Sequence, residues 1–227
     1  MRIADLLERF GAAGPPGRRI APLNEENGGA GAAASWATGR IRGDHDLAPE
    51  LYEPEKALRP AAVLVPIVAH ENAPTVLLTR RTAHLNDHAG QISFPGGRID
   101  PEDDGPEAAA MREAEEEIGL DPARTRVIGR LDTYIVRTGF EVIPVIALVE
   151  PPLRLTLDEF EVAEAFEVPL AYFLKPGTKQ KQSRIFKGKK RFFFVYPYQD
   201  YYIWGATAGM LGNLAEILAP ELLELDR

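Results

Sequence analysis

The chain has 227 residues, 34 acidic against 26 basic side chains for a net charge of −8, 45% hydrophobic residues and no cysteine. This suits one globular domain with extensions and excludes a disulfide framework, a thiolate nucleophile and a cysteine-based zinc site. The acidic balance argues against nucleic-acid binding, the lack of a long apolar run argues against a membrane span, and a cysteine-free chain fits a reducing, cytoplasmic setting.

The first residues are amphipathic and contain acids, which predicts a short helix over 3–10 and not a signal peptide. Residues 11–43 are rich in Gly, Ala and Pro, so 1–57 reads as a flexible lead, or as an arm that folds onto the body or a partner. Residues 61–69 and 75–79 read as buried strands around a turn at Glu71-Asn72-Ala73-Pro74. Next, a short strand over 92–94 runs into a Pro95-Gly96-Gly97 turn, where two glycines permit positive φ and close approach to a ligand. Asp103 or Asp104 is placed to cap the following helix, with Pro106 in its first turn and Glu107 three after Asp104 as in a capping box. Ala108, Ala109, Ala110 and Met111 propagate that helix and Gly119 ends it. Residues 127–136 and 142–149 predict two strands around a turn at Thr138-Gly139. A strand over 162–168, a short helix over 170–174 and strands over 191–196 and 200–204 follow. The last element is a helix over 206–218, apolar at Met210, Leu211, Leu214, Ile217 and Leu218. Strands interrupted by helices predict an α/β fold with its sheet covered on both sides.

The chemistry concentrates in Arg112-Glu113-Ala114-Glu115-Glu116-Glu117-Ile118-Gly119-Leu120. Glu113, Glu116 and Glu117 share one face of the predicted helix, where like charges repel. A hard divalent cation, Mg2+ or Mn2+, would reward keeping them together. The plainer alternative is a solvated acidic face with Arg112 paired to Glu116.

From Gly97 to Leu120 the chain resembles the Nudix box, written G-x5-E-x7-R-E-U-x-E-E-x-G-U with U aliphatic. Arg112, Glu113, Ala114, Glu116, Glu117, Gly119 and Leu120 match position for position. Counting back from Arg112 puts the first Glu of the pattern on Asp104, and the stretch from Gly97 to Arg112 is one residue longer than the pattern. A second resemblance, over Leu77-Leu78-Thr79-Arg80-Arg81-Thr82-Ala83 and on to Phe94-Pro95-Gly96-Gly97, is to coenzyme A pyrophosphatases, whose signature has Ser where Thr82 stands.

The resemblance implies an α/β/α sandwich with a mixed sheet, formed by a Nudix domain over 58–227. It implies a Mg2+- or Mn2+-dependent pyrophosphohydrolase with Glu113, Glu116 and Glu117 as metal ligands, joined by the carbonyl of Gly96 or Gly97, and Arg112 orienting a glutamate. The substrate it implies is coenzyme A or an acyl derivative. ADP-ribose or another dinucleotide is the alternative within the enzyme class, and a non-catalytic nucleotide-binding module the alternative outside it. Arg80, Arg81 and Arg98 are candidate contacts to diphosphate oxygens. Asp158, Glu159, Glu161 and Glu164 offer a general base, with Glu161 and Glu164 preferred. His84 and His88 flank the glycine segment and are lesser candidates. Residues 175–191 hold eight basic residues and no acid, which reads either as a solvated hairpin or as a patch that steers a polyanion. Nudix domains often pair, so a homodimer is the default expectation.

Overall fold

The computed structural model describes residue 8 and residues 41–47, 58–83, 90–186 and 188–220, so the helix expected over 3–10 lies outside the described residues apart from Glu8. The strands are β1 (Arg42–Gly43), β2 (Arg59–Val68), β3 (Thr75–Arg81), β4 (Ile92–Ser93), β5 (Gly96–Arg98), β6 (Thr125–Arg130), β7 (Tyr134–Val136), β8 (Phe140–Val149), β9 (Val162–Pro169), β10 (Gln180–Phe186), β11 (Lys189–Tyr198) and β12 (Tyr201–Trp204). The helices are α1 (Pro106–Ile118), α2 (Leu170–Phe173) and α3 (Gly205–Leu218).

β2 and β8 form the spine. They pair in parallel along their full length, from Arg59 opposite Phe140 to Val68 opposite Val149. Both are apolar on both faces, as a strand covered on two sides must be. Ala61, Val65 and Ile67 enter one core, while Ala62, Leu64 and Val68 enter the other. α1 lies on the second core through Ala109, Ala110, Ala114 and Ile118, all fully buried. The small side chain of Ala114 is thereby explained: it lets the helix backbone approach the sheet. α3 covers the first core through Met210, Leu211, Leu214, Ile217 and Leu218. The expected α/β/α layering follows, with a nine-stranded mixed sheet between the two helices.

Two expectations need correction. Pro95-Gly96-Gly97 is not a free turn, because Gly96–Arg98 is a strand that pairs antiparallel with Ala61–Val63 of β2. Gly96 has φ +153°, and a Cβ there would stand 2.4 Å from the Ala62 carbonyl oxygen, so packing against β2 requires glycine. The single strand expected over 127–136 is split into β6 and β7. Its break falls where the Asp132 N–H turns from the ladder to donate to Asn213 Oδ1 at 2.9 Å. The basic stretch does contribute the hairpin expected of it: residues 180–186 form β10, which pairs with β11 in a separate three-stranded antiparallel sheet β10-β11-β12. There Lys181 lies over Phe192 at 4.7 Å and Arg184 over Trp204 at 4.8 Å, so the cations cover aromatic rings.

Part of the lead is built into the body. β1 pairs in parallel with β7, and Arg42 is buried at 8% exposure. Its Nε donates to Asp132 Oδ2 at 2.7 Å and its Nη2 to Glu216 Oε2 at 2.5 Å. Asn213 Nδ2 also donates to Asp132 Oδ2, at 3.2 Å. A buried guanidinium between two carboxylates gives no hydropathy signal, so this anchor is invisible to pattern reading. Removing it strands two enclosed charges. Arg42→Met is expected to lower unfolding free energy by about 3 kcal/mol in urea denaturation.

Candidate active site

α1 carries the acidic run, and its two ends are held by different means. Its N-cap is Gly105, with φ 97°, followed by Pro106 at N1, and no side chain caps it. The expected Asp103 or Asp104 cap and the capping box are therefore absent. The acids have other partners: Glu107 pairs with Arg130 through Nη2 at 2.6 Å, and Asp103 takes Arg112. At the C-terminal end the carbonyls of Glu117 and Ile118 accept the N–H groups of Asp158 and Thr156 at 2.9 and 3.0 Å. Gly119 adopts φ 64°, and a Cβ there would meet Thr156 N at 2.9 Å. These contacts bring the segment before β9, with Asp158 and Glu161, against the acidic end of the helix.

Arg112 is the hub of the outer site. Its Nε and Nη2 each donate to the Asp103 carboxylate at 3.0 Å, a bidentate pair. Its Nη1 donates to Glu113 at 2.9 Å and to Glu116 at 3.1 Å, and its Nη2 to the Arg98 carbonyl at 3.2 Å. The Arg112 hydrogen bond holds the Asp103 carboxyl below its ordinary range. Asp103, not Asp104, thus supports Arg112. Counting forward from Gly97 by the box spacing lands on Asp103, so the extra residue lies between Asp103 and Arg112.

Glu117 is the inner group, 5% exposed. Burial pushes its carboxyl up to about 8; Arg81 and the Gly96 N–H oppose this, and Glu161 and Glu113 reinforce it. Arg81 Nη1 stands 3.7 Å from Glu117, and its Nη2 3.4 Å from Glu161. Glu113 is likewise raised by burial, against the pull of Arg112. Gly97 lies against Glu113: a Cβ on it would stand 2.5 Å from the Glu113 carboxyl carbon. Thr82, where the coenzyme A signature has Ser, donates its hydroxyl to the Phe160 carbonyl at 2.7 Å and its N–H to the Glu161 carbonyl at 3.0 Å. Either hydroxyl residue can make the first bond, which ties the Glu161 segment to the end of β3.

The expected site residues therefore divide. Arg112, Glu113, Glu116, Glu117, Gly96, Gly97, Arg81 and Glu161 come together. Arg80 and Glu164 do not join the carboxylates: Arg80 Nη2 meets Glu164 Oε2 at 2.9 Å, and Glu164 Oε1 accepts the Tyr201 hydroxyl at 2.6 Å. The reason is strand alternation, since Arg80 and Arg81 are consecutive on β3 and point to opposite faces. Arg98 contributes its carbonyl to Arg112, while its guanidinium lies 5.9 Å from the Phe140 ring. His84 and His88 lie outside the described residues.

The donor set suits a hard divalent cation, being all carboxylate oxygen, and burial raises two of its members, Glu117 and Glu113. Among the described residues no three acid or imidazole groups meet at one point. Arg112 draws Glu113 and Glu116 to itself, while Glu117 turns to Arg81. Holding an ion requires those side chains to exchange partners.

The NUDIX domain family matches residues 58–187. The chain belongs to the Nudix family. It is 40% identical over 169 residues to the Nudix hydrolase NudL of Escherichia coli K12, described as uncharacterized, covering 74% of this chain and 88% of NudL. NudL of Shigella boydii is 41% identical over the same shares. Among solved structures, the Nudix hydrolase RenU of M. smegmatis aligns with a TM-score of 0.43 and 24% identity, over 52% of this chain and 81% of that one. As a Nudix hydrolase, the chain acts on diphosphate linkages, and the family generally uses divalent metals such as Mg2+ or Mn2+. No helix among the described residues is long and apolar enough to cross a membrane.

Two outcomes follow. Asp103→Ala should cost ~2 kcal/mol by chemical denaturation, as a charged hydrogen-bonded pair is lost, whereas Asp104→Ala should stay within about 0.5 kcal/mol of the parent. A carboxyl raised from 4.5 to about 8 on folding favours the fold at low pH and loses that contribution as pH rises between those values. The stability of metal-free protein in EDTA should therefore fall between about pH 5 and pH 8, and Glu117→Gln should flatten that decline in thermal melts.

Proposed function

We propose that this Nudix hydrolase is a divalent-cation-dependent diphosphatase of coenzyme A or an acyl-coenzyme A, releasing a phosphopantetheine and adenosine 3',5'-bisphosphate. The observation that carries the reading is the buried, charge-deficient Glu117 set between Glu113, Glu161 and Arg81 beside the glycine strand. The coenzyme A part rests on the signature residues, of which Arg81, and Thr82 in place of the signature's Ser, both meet the Glu161 segment.

Glu113, Glu116 and Glu117 would hold the cation, with Gly97 as an added backbone donor. When bound it offsets the charge of the diphosphate and lowers the pKa of a water. Arg112 keeps Glu113 and Glu116 ordered when the site is not engaged and gives them up as ligands form. Arg81, between Glu117 and Glu161, is set to meet diphosphate oxygens. Glu161 accepts the proton of the attacking water as that water's oxygen bonds to one phosphorus, and the bridging P–O bond breaks with its electron pair leaving on the other phosphate. Glu161 suits the role because it stands with Arg81 on the carboxylate side of β3, whereas Glu164 is held by Arg80 and Tyr201 on the other face. The reading puts the reaction in the cytoplasm as part of the coenzyme A proposal.

Incubation with Mg2+ and a panel of coenzyme A, ADP-ribose and NADH, with products resolved by chromatography, tests the substrate. Coenzyme A should give the highest kcat/KM, and a preference for ADP-ribose would overturn that assignment while leaving the hydrolase intact. Glu161→Gln should lower kcat by about 100-fold with folding unchanged, and Glu164→Gln should not approach that loss.

A further inference from the structure

Two neighbouring arginines at the end of β3 face opposite sides of the sheet. Arg81 faces the carboxylates of the active site. Arg80 faces a separate assembly in which its Nη2 is 2.9 Å from Glu164 and its Cζ is 5.1 Å from the centroid of the Tyr201 ring. Tyr201 in turn stacks on Phe166, with centroids 3.7 Å apart and planes 7° apart. The guanidinium thus lies over the same ring that stacks on Phe166. The Tyr201 hydroxyl, donated to Glu164 at 2.6 Å, closes the set.

The pile is open to solvent at its outer end, since the Arg80 side chain is 40% exposed. Its charge is already offset by Glu164, so an incoming anion would meet a carboxylate beside the cation. A flat aromatic group meets no such penalty, because the guanidinium plane stacks well on π systems and is more weakly hydrated than an ammonium. Binding such a group also costs little ordering, because Glu164 and Tyr201 already hold Arg80 in place.

We propose that the stack of Arg80, Tyr201 and Phe166 seats the purine base of the substrate, with Arg80 in contact and Glu164 and Tyr201 positioning it. The proposal rests on the nucleotide diphosphatase reading above. One nucleotide straddling the end of β3 would then present its phosphates to Arg81 and its base to Arg80. Arg80 occupies the variable position of the coenzyme A signature, between the Thr79 and Arg81 that match it.

Product inhibition separates the two ends of the substrate. The full-length protein with Mg2+ is assayed for inhibition by AMP, adenosine 3',5'-bisphosphate and 4'-phosphopantetheine, in the parent, Arg80→Ala, Arg80→Lys and Glu164→Gln. Both Arg80 variants should weaken inhibition by the two adenylates about tenfold, because lysine keeps the charge but loses the plane. Glu164→Gln should weaken it by a smaller factor, and inhibition by 4'-phosphopantetheine should not shift in any variant. An Arg80→Lys variant that restores parental adenylate inhibition would replace the stack with a simple anion contact. Equal weakening of all three inhibitors would reduce the cluster to a brace between the two sheets. Parent protein inhibited by the adenylates but not by 4'-phosphopantetheine would count against coenzyme A, leaving the stack to be judged on the adenylates alone.

Discussion

The arrangement turns on one electrostatic imbalance: Glu117 is enclosed by protein, faces two other carboxylates, and among the described residues has Arg81 and one backbone N–H to compensate. A fold that keeps such a group gives up stability at neutral pH, and the surroundings do little to relieve the cost. Positive charge added from outside relieves it at once. The same imbalance suits the site to a cation, and a bound cation is what would make a polyanionic substrate tolerable next to an acidic helix.

Everything around that group serves to hold it. The α1 helix is pressed close to the sheet by its alanines, its last carbonyls are tied to the segment that delivers Glu161, and Gly96 is forced against β2 so that its N–H points to Glu117. Gly97 leaves room for the Glu113 carboxylate. Arg112, braced by Asp103, keeps the outer carboxylates from repelling one another. Strand alternation on β3 then sends its two arginines to different clusters, Arg81 to the carboxylates and Arg80 to an aromatic pile.

Reading the chain recovered what periodicity and composition encode. The two doubly apolar strands, the closing helix with Met210, Leu211, Leu214, Ile217 and Leu218 turned to the core, and the acidic helix face were legible, because each is a local pattern with a fixed repeat. The Nudix box was legible because its spacing is long. What stayed hidden depends on contacts between distant residues. The Arg42 anchor joins positions 90 and 174 residues away. The choice of Asp103 over Asp104 hinged on where one extra residue sits, which backward counting misplaced and forward counting would have found. Glu161 and Glu164 read alike as acids near one strand, and the contacts that part them, Glu161 with Arg81 and Glu164 with Arg80 and Tyr201, come from residues far away in the chain. That the Pro-Gly-Gly stretch is a strand was masked by residues that ordinarily signal turns.

Mn2+ binding followed by electron paramagnetic resonance is the most direct measure of the central claim. The account predicts that the parent protein holds Mn2+ at neutral pH and that Glu117→Gln and Glu113→Gln each weaken that binding severely while the fold persists by circular dichroism. Parental stoichiometry and affinity in a folded Glu113→Gln/Glu117→Gln double variant would contradict it.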